Sequence, residues 1–244
     1  MLILLVSDIH ANLTALQAVL DDANGSYGAV WFLGDLVGYG PDPNECVDVV
    51  RALPELVALM GNHDAATMGW INTDAFNAEA RLAVRWTQDT ITPENLTYLE
   101  GLPAKIQIDE SITLAHGSPR QPVWEYVLNT RIATENFQFF DNDFCFFGHT
   151  HLPSIFHLSE RTSHADLLVP IVDSSFDLKP RLMINPGSVG QPRDRDPRAA
   201  YSIVDLEDMR VEFHRVAYDI SAVQARMRKA KLPEKHISRL EMGW

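Results

Sequence analysis

Leu2-Ile3-Leu4-Leu5-Val6-Ser7-Asp8-Ile9-His10 decides how the rest of the chain is read. Five apolar residues follow one another without alternation, and the run then breaks into a polar cluster. A short continuous apolar run of this kind reads as a strand buried on both faces. The same pattern recurs down the chain. Val30–Leu33 leads into Gly34-Asp35, and Leu56–Met60 into Gly61-Asn62-His63-Asp64. Ile112–Ala115 leads into His116-Gly117, Cys145–Phe147 into Gly148-His149-Thr150-His151, and Leu182–Ile184 into Asn185-Pro186-Gly187.

Helical patterns separate the early runs. Asn12 is placed to cap a helix through Ala23, with Leu13, Leu16, Val19 and Leu20 on one face. Pro43–Leu53 reads as a second helix with proline in its first turn. Further helices are expected over Thr73–Ile91, from Thr92-Pro93 to near Gly101, and over Thr130–Phe140. Strand–helix alternation implies an α/β fold with parallel pairing in the first half. Tyr201–Leu206 and Val211–Val216 alternate as antiparallel strands do, and the tail from Ser221 returns to helix, broken at Leu232-Pro233. Residues 160–179 fit either a surface hairpin or an insertion. With no repeat, low-complexity tract or linker, residues 1–244 are expected to form a single domain.

The 244 residues are enough for a sizeable core, and 46% hydrophobic with 22% charged residues is an ordinary globular composition. A formal net charge of -13 disfavours broad nucleic-acid binding and anionic membranes. A small phosphorylated substrate is compatible with it, because bound cations reverse the field locally. Two cysteines, Cys46 and Cys145, make no disulfide framework, so a reducing cytoplasm is the simplest compartment. The sequence contains no apolar span of membrane length and leaves open whether the chain forms homo-oligomers.

In open α/β sheets, ligand sites lie beyond the carboxyl ends of the strands, where each polar cluster falls. Together these clusters supply Asp8, His10, Asp35, Asn62, His63, His116, His149 and His151, including five of the nine histidines. The other four, His157, His164, His214 and His236, are scattered without acidic partners in sequence. Two carboxylates, an amide oxygen and four imidazoles suit divalent metals such as manganese, iron or zinc. Seven donors are too many for one ion and about right for two that share a carboxylate. Taken singly, each cluster has a bland reading. A strand-end Asp caps the next helix, and Gly-Asp or Gly-Asn makes an ordinary turn. Gly-His-x-His says more, because alternate residues of an extended chain point the same way.

Taken in order, Asp8-x-His10, Gly34-Asp35, Gly61-Asn62-His63-Asp64, His116 and Gly148-His149-x-His151 resemble the blocks of the calcineurin-like metallophosphoesterases. Gly38-Tyr39-Gly40-Pro41, His116-Gly117-Ser118-Pro119-Arg120 and Asn185–Gly190 look like the small bacterial and archaeal phosphodiesterase or diadenosine-tetraphosphatase-like branch. The resemblance implies a four-layer sandwich of two mixed β-sheets flanked by helices. It assigns Asp8, His10 and His151 to one metal, Asn62, His116 and His149 to a second, and Asp35 to both. It makes His63 the catalytic residue facing the leaving group, oriented by Asp64. The implied cofactor is a pair of divalent ions, manganese first, with iron, zinc, nickel and magnesium as alternatives. The implied reaction is hydrolysis of a small, nucleotide-like phosphodiester by a metal-generated hydroxide. A phosphomonoesterase, a dinucleoside-polyphosphate hydrolase and a non-catalytic scaffold are the alternatives. Ala11 stands where many relatives have glycine; its extra methyl is expected to narrow the backbone approach slightly and leave metal binding intact.

Substrate contacts are expected from Asn12, Tyr39, Arg120, Trp124, Tyr126 and Arg193, since arginines suit phosphate and aromatics suit a base. The bland readings are packing for Tyr39, a hydrophobic lid for Trp124 and Tyr126, and a self-paired loop for Arg193 to Asp196. Arg226–Lys231 reads as an exposed basic helix face.

Overall fold

The structure is a computed structural model that describes residues 1–244, the side chain of Ala75 excepted. Strand β1 (Leu2–Val6) pairs in parallel with β2 (Ala29–Phe32), and β2 pairs in parallel with β3 (Leu56–Ala58). On its other side β1 meets β11 (Ala199–Asp205), which runs antiparallel to β12 (Arg210–Val216). In the second sheet, β5 (Ile112–Ala115), β6 (Phe144–Phe146) and β10 (Leu182–Asn185) are mutually parallel. Strands β4 (Lys105–Gln107) and β7 (Ser154–Leu158) flank them antiparallel. Each sheet has six strands and mixed pairing.

The period of two in a strand explains the layering. Ile3 and Leu5 of β1 face Phe144 and Phe146 of β6 in the core between the sheets. The alternate residues Leu4 and Val6 pack outward under α1 (Leu13–Asp22) and α2 (Pro43–Arg51). Cys145 and Phe147 pack outward under α6 (Thr130–Asn136). The central strands of both sheets are therefore covered on both faces, which is why their apolar runs do not alternate, while β12 at the outer part of its sheet does. The four-layer sandwich of two mixed sheets flanked by helices is as expected.

Three expectations about elements change. Thr73–Ile91 is a 3-10 turn at Thr73–Ala75 followed by α4 (Ala78–Thr90), because Asn77 caps the helix by accepting from the Ala80 amide at 2.8 Å. The first part of residues 160–179 is the expected hairpin, since it returns antiparallel along β7 with Ala165 opposite Leu158; the second part is not. Their strands β8 (Ala165–Leu168) and β9 (Ser174–Asp177) join opposite sheets, β8 on β7 and β9 on β12, so the segment crosses from one sheet edge to the other. The basic helix face is also partly engaged. Arg226 of α7 (Ile220–Lys229) grips Asp42 at 2.9 Å through two nitrogens and donates to Thr14 Oγ1 at 2.7 Å.

The chain ends with α7 and α8 (Glu234–Met242), which pack through Val223, Met227, Ile237 and Leu240 against Tyr39, Phe76 and Ala83. This helical pair covers one side of the strand ends. Among the described residues, no helix is long and apolar enough to cross a membrane.

Candidate metal centre

The parallel strands of both sheets deliver their carboxyl ends to one place. Asp8 follows β1, Asp35 follows β2, His116 follows β5, and His149 and His151 follow β6. Asn62 and His63 open the short helix α3 (Asn62–Thr67) after β3. One donor atom each from Asp8, His10, Asp35 and His151 lies within 4.8 Å of the others, and the same holds for Asp35, His116 and His149. The Asn62 Oδ1 stands 3.2 Å from His116 Nε2, which adds it to the second group. Asp35 belongs to both. Its Oδ1 accepts from the His63 amide at 2.8 Å, while its Oδ2 lies 3.6 Å from His10 Nε2 and 3.5 Å from His116 Nε2.

The local backbone explains how so many donors converge. Asp8, His10, Asp35, His149 and His151 have φ of 54°, 49°, 59°, 65° and 60°, in the left-handed region that non-glycine residues seldom adopt. Each strand therefore turns sharply at its end and aims its side chain inward. Close approach is enforced by glycine. A Cβ on Gly61 would collide with the Asp35 carboxylate, and one on Gly148 with the Ser7 hydroxyl.

The donors fit divalent cations. His10 Nδ1, His116 Nδ1 and His151 Nδ1 face the carbonyls of Val37, Leu33 and Gln191 at 3.2, 2.8 and 2.6 Å, and His149 Nε2 faces that of Trp124 at 3.2 Å. A carbonyl only accepts, so each of those nitrogens carries the hydrogen and the other is a bare lone pair. The bare nitrogens meet: His10 Nε2 lies 3.1 Å from His151 Nε2, and His116 Nε2 lies 3.1 Å from His149 Nδ1. Asp8 Oδ1 is buried without any hydrogen-bond partner, 3.3 Å from His151 Nε2. Facing lone pairs in a buried site repel unless a proton or a cation lies between them.

Burial pushes the Asp8 carboxyl up to about 7, with the Asp35 charge adding to it, although His116 pulls the other way. Burial pushes His10, His149 and His151 well below the usual imidazole range, which leaves them neutral as metal ligation requires. Burial also lowers His116, but the Asp35 carboxylate overrides it and raises that imidazole to about 9. A proton and a cation are therefore alternatives at His116 Nε2, and the Asp35 carboxylate favours either.

His63 stands apart from the donor set. Its ring is held by tilted and edge-on ring contacts, with centroids 4.3 Å from Tyr39, 4.9 Å from His10 and 5.0 Å from Phe76. Its Nδ1 is buried with no partner, and burial lowers its pKa to about 4. Asp64 does not orient it, contrary to the sequence expectation. The Asp64 carboxylate accepts from the amides of Asp35, Leu36, Val37 and Gly61 at 2.9–3.2 Å, so it organises the Asp35 loop.

The expected substrate residues divide. Tyr39, Trp124 and Tyr126 surround the donors: Tyr39 lies 4.7 Å from the His10 ring, Trp124 stacks edge-on to Phe76 at 5.6 Å, and the exposed Tyr126 stacks on His149 at 3.8 Å. Arg193 also lies close, its amide donating to the His151 carbonyl at 3.4 Å. Arg120 instead is held by Glu125 and Glu135, and the Asn12 amide is used up by Gly190 O and the Ala15 amide. The expected self-pairing between residues 193 and 196 is absent: Asp194 meets Arg215, Asp196 meets Arg198, and Arg195 lies over Trp244.

Residues that sequence reasoning passed over also belong here. His236 is only 1% exposed and packs 4.5 Å from the Tyr39 ring, and Arg239 and Gln191 lie beside it. His214, expected to lack acidic partners, has two, Asp173 at 3.4 Å and Glu212 at 3.6 Å. No local pattern marked His236, since its neighbours come from residues far away in sequence.

Comparison with known proteins agrees with the geometry. The profile of the Calcineurin-like phosphoesterase superfamily domain matches residues 1–209. The chain belongs to that superfamily. It is thus a metal-dependent phosphoester hydrolase. It is similar to the crystal structure of a metallophosphoesterase from Sphaerobacter thermophilus, with a TM-score of 0.91 and 49% identity covering 100% of this chain and 99% of that one. A protein of Methanocaldococcus jannaschii described as uncharacterised is 37% identical over 99% of this chain and 98% of its own length. The symmetrical bis(5'-nucleosyl)-tetraphosphatase of Erwinia tasmaniensis is 32% identical over 54% of this chain, a match spanning 49% of that enzyme.

Proposed function

We propose that this protein hydrolyses small, nucleotide-like phosphodiesters at a centre of two divalent ions, with manganese the metal of choice. The position of Asp35 Oδ2, almost equidistant from the two donor groups, carries the reading. Asp8, His10 and His151 hold one ion, Asn62, His116 and His149 the other, and Asp35 both. When bound, such a pair neutralises phosphoryl oxygens and acidifies water, lowering its pKa toward about 7. The protein supplies the rest. Histidine tautomers fixed by backbone carbonyls keep the donors ready, and the low exposure of the cluster limits competing water.

His63 faces the leaving oxygen. Edge-on and tilted ring contacts with His10, Tyr39 and Phe76 fix its plane, and no hydrogen bond within the protein ties up the ring. An incoming phosphate anion favours its protonated form, which can then give the leaving group a proton. Tyr126 and Trp124 offer aromatic faces to a base. Hydrolysis of dinucleoside polyphosphates is the second reading, favoured by the named activity of the Erwinia relative. All seven donors and His63 are present, which speaks against a scaffold.

The test is a screen of the manganese-loaded protein against bis-p-nitrophenyl phosphate, p-nitrophenyl phosphate and a panel including bis(adenosine) tetraphosphate, with metal analysis alongside. Turnover of the diester above the monoester supports the first reading. Preference for the tetraphosphate replaces it with the second. Two bound ions with no turnover of any ester would sink both.

A further inference from the structure

The chain carries 33 acidic residues against 20 basic ones, so its arginines have carboxylates to spare. Arg120, Arg198, Arg215 and Arg226 each hold one. Two arginines beside the donor cluster do not. Among the described residues, neither Arg193 nor Arg239 has a carboxylate partner. Instead both donate to one neutral atom, Gln191 Oε1, at 3.0 and 3.2 Å. Two guanidinium groups brought to the same amide oxygen repel each other, and burial together with the Arg193 charge pushes the Arg239 pKa down. The assembly costs free energy as it stands, and an anion would offset that cost.

The orientation of the amide is fixed, since turning it over would point its NH2 group at two other donors. That leaves Gln191 Nε2 as a buried donor without a partner, on a residue only 1% exposed. Arg193 Nε is a second such donor. Unused donors on two of three converging side chains, beside two guanidinium charges, are what an acceptor-rich ligand such as phosphate requires. The place is contiguous with the metal donors: the Gln191 carbonyl accepts from the ligand candidate His151 at 2.6 Å, and the Arg193 amide donates to the His151 carbonyl at 3.4 Å.

We propose that Arg193, Arg239 and the Gln191 carboxamide form an anion subsite on the His151 side of the donor cluster, which takes a second phosphate group of the substrate. The inference rests on the phosphoesterase reading above and narrows it to substrates with two or more phosphate groups. A single-phosphorus ester fills the donor cluster alone. A polyphosphate spans both.

The test compares wild type, Arg239→Gln and Arg239→Lys, all manganese-loaded, with p-nitrophenyl phosphate as substrate and inorganic tripolyphosphate as competitor. Losing charged hydrogen bonds in the glutamine variant should weaken tripolyphosphate inhibition about ten-fold or more. The KM for p-nitrophenyl phosphate should move by less than about three-fold, a smaller change because that ester does not reach the subsite. The lysine variant, which keeps the charge, should fall between. Equal losses for both compounds, or a lysine variant no better than glutamine, would overturn the subsite. If the wild type turned over no ester, the phosphoesterase reading would fail by itself. Titration calorimetry with tripolyphosphate would then decide the subsite: weaker binding by Arg239→Gln supports it, and identical isotherms reject it.

Discussion

On the floor of the site, Asp8, His10, Asp35, His149 and His151 sit in left-handed backbone conformations locked by buried hydrogen bonds. The α7–α8 pair above one side of it has ordinary helical geometry and is held by apolar contacts and the Arg226–Asp42 pair. Strain is thus concentrated on the floor, where donors must be held in place before anything binds, whereas in the cover it falls only on Lys231, φ 58°, in the turn between the two helices. The cover contributes His236 and Arg239 from regular helix, where side chains can change without refolding a loop. A floor of this kind fixes the chemistry, and a cover of this kind is suited to setting which substrate fits.

Asp35→Ala should have the largest effect. Loss of partners that only orient a ligand costs about 10–100-fold in metal affinity, so loss of a shared ligand should cost at least as much. Elemental analysis should show fewer than two ions per chain, together with loss of activity. Two retained ions would mean that the floor does not depend on its shared carboxylate. His63→Ala should separate chemistry from metal holding. A fall of about 10²–10⁴ in kcat with metal content preserved is expected; a parallel fall in metal content would make His63 a ligand.

Much of the floor was legible in the sequence because each donor follows directly on a strand, and apolar runs bounded by Gly-Asp or Gly-His mark strand ends. Composition could not show that the donors adopt positive φ, although Asp and His are enriched there. The Asp64 role came with the resemblance and not from the residues, whereas a residue at the third position of a helix turns back toward its own N-terminus. The cover was largely illegible. Arg226 and Arg239 look like solvated helix arginines, and their partners Asp42 and Gln191 lie far off in sequence. Residues 160–179 were legible only in part: the return of β8 along β7 is the expected hairpin, whereas β9 pairs with β12, far off in sequence.

Arg226→Ala tests how the cover is held. The pair is partly buried and doubly bonded, and its loss leaves the Asp42 carboxylate largely enclosed without a partner. Exposed pairs contribute about 1 kcal/mol at most, so about 1–2 kcal/mol is expected here, read as a Tm lower by roughly 2–6 °C. Metal content should stay unchanged, because none of the donors touches this pair. A loss of ions in this variant would show that floor and cover are not separable.

Ala11→Gly should have the smallest effect and asks whether the floor is strained. Ala11 has φ of 52° and is wholly buried, with its amide bonded to Leu36 O at 2.8 Å and its carbonyl to the Asp42 amide at 3.0 Å. The extra methyl therefore does more than narrow an approach, because it places a Cβ in a conformation that glycine adopts freely. A left-handed alanine costs about 1–2 kcal/mol, while glycine loses about 0.5–1 kcal/mol through the greater freedom of its unfolded chain. The two partly cancel, so the variant should be more stable by up to about 1 kcal/mol, measured by denaturant unfolding of the metal-free protein. Metal-loaded protein should gain the same amount if the loop geometry does not change on loading. A clear loss of stability in both forms would mean that the buried methyl contributes more by packing than it costs in backbone strain, and the contrast between a strained floor and a relaxed cover would weaken at that position.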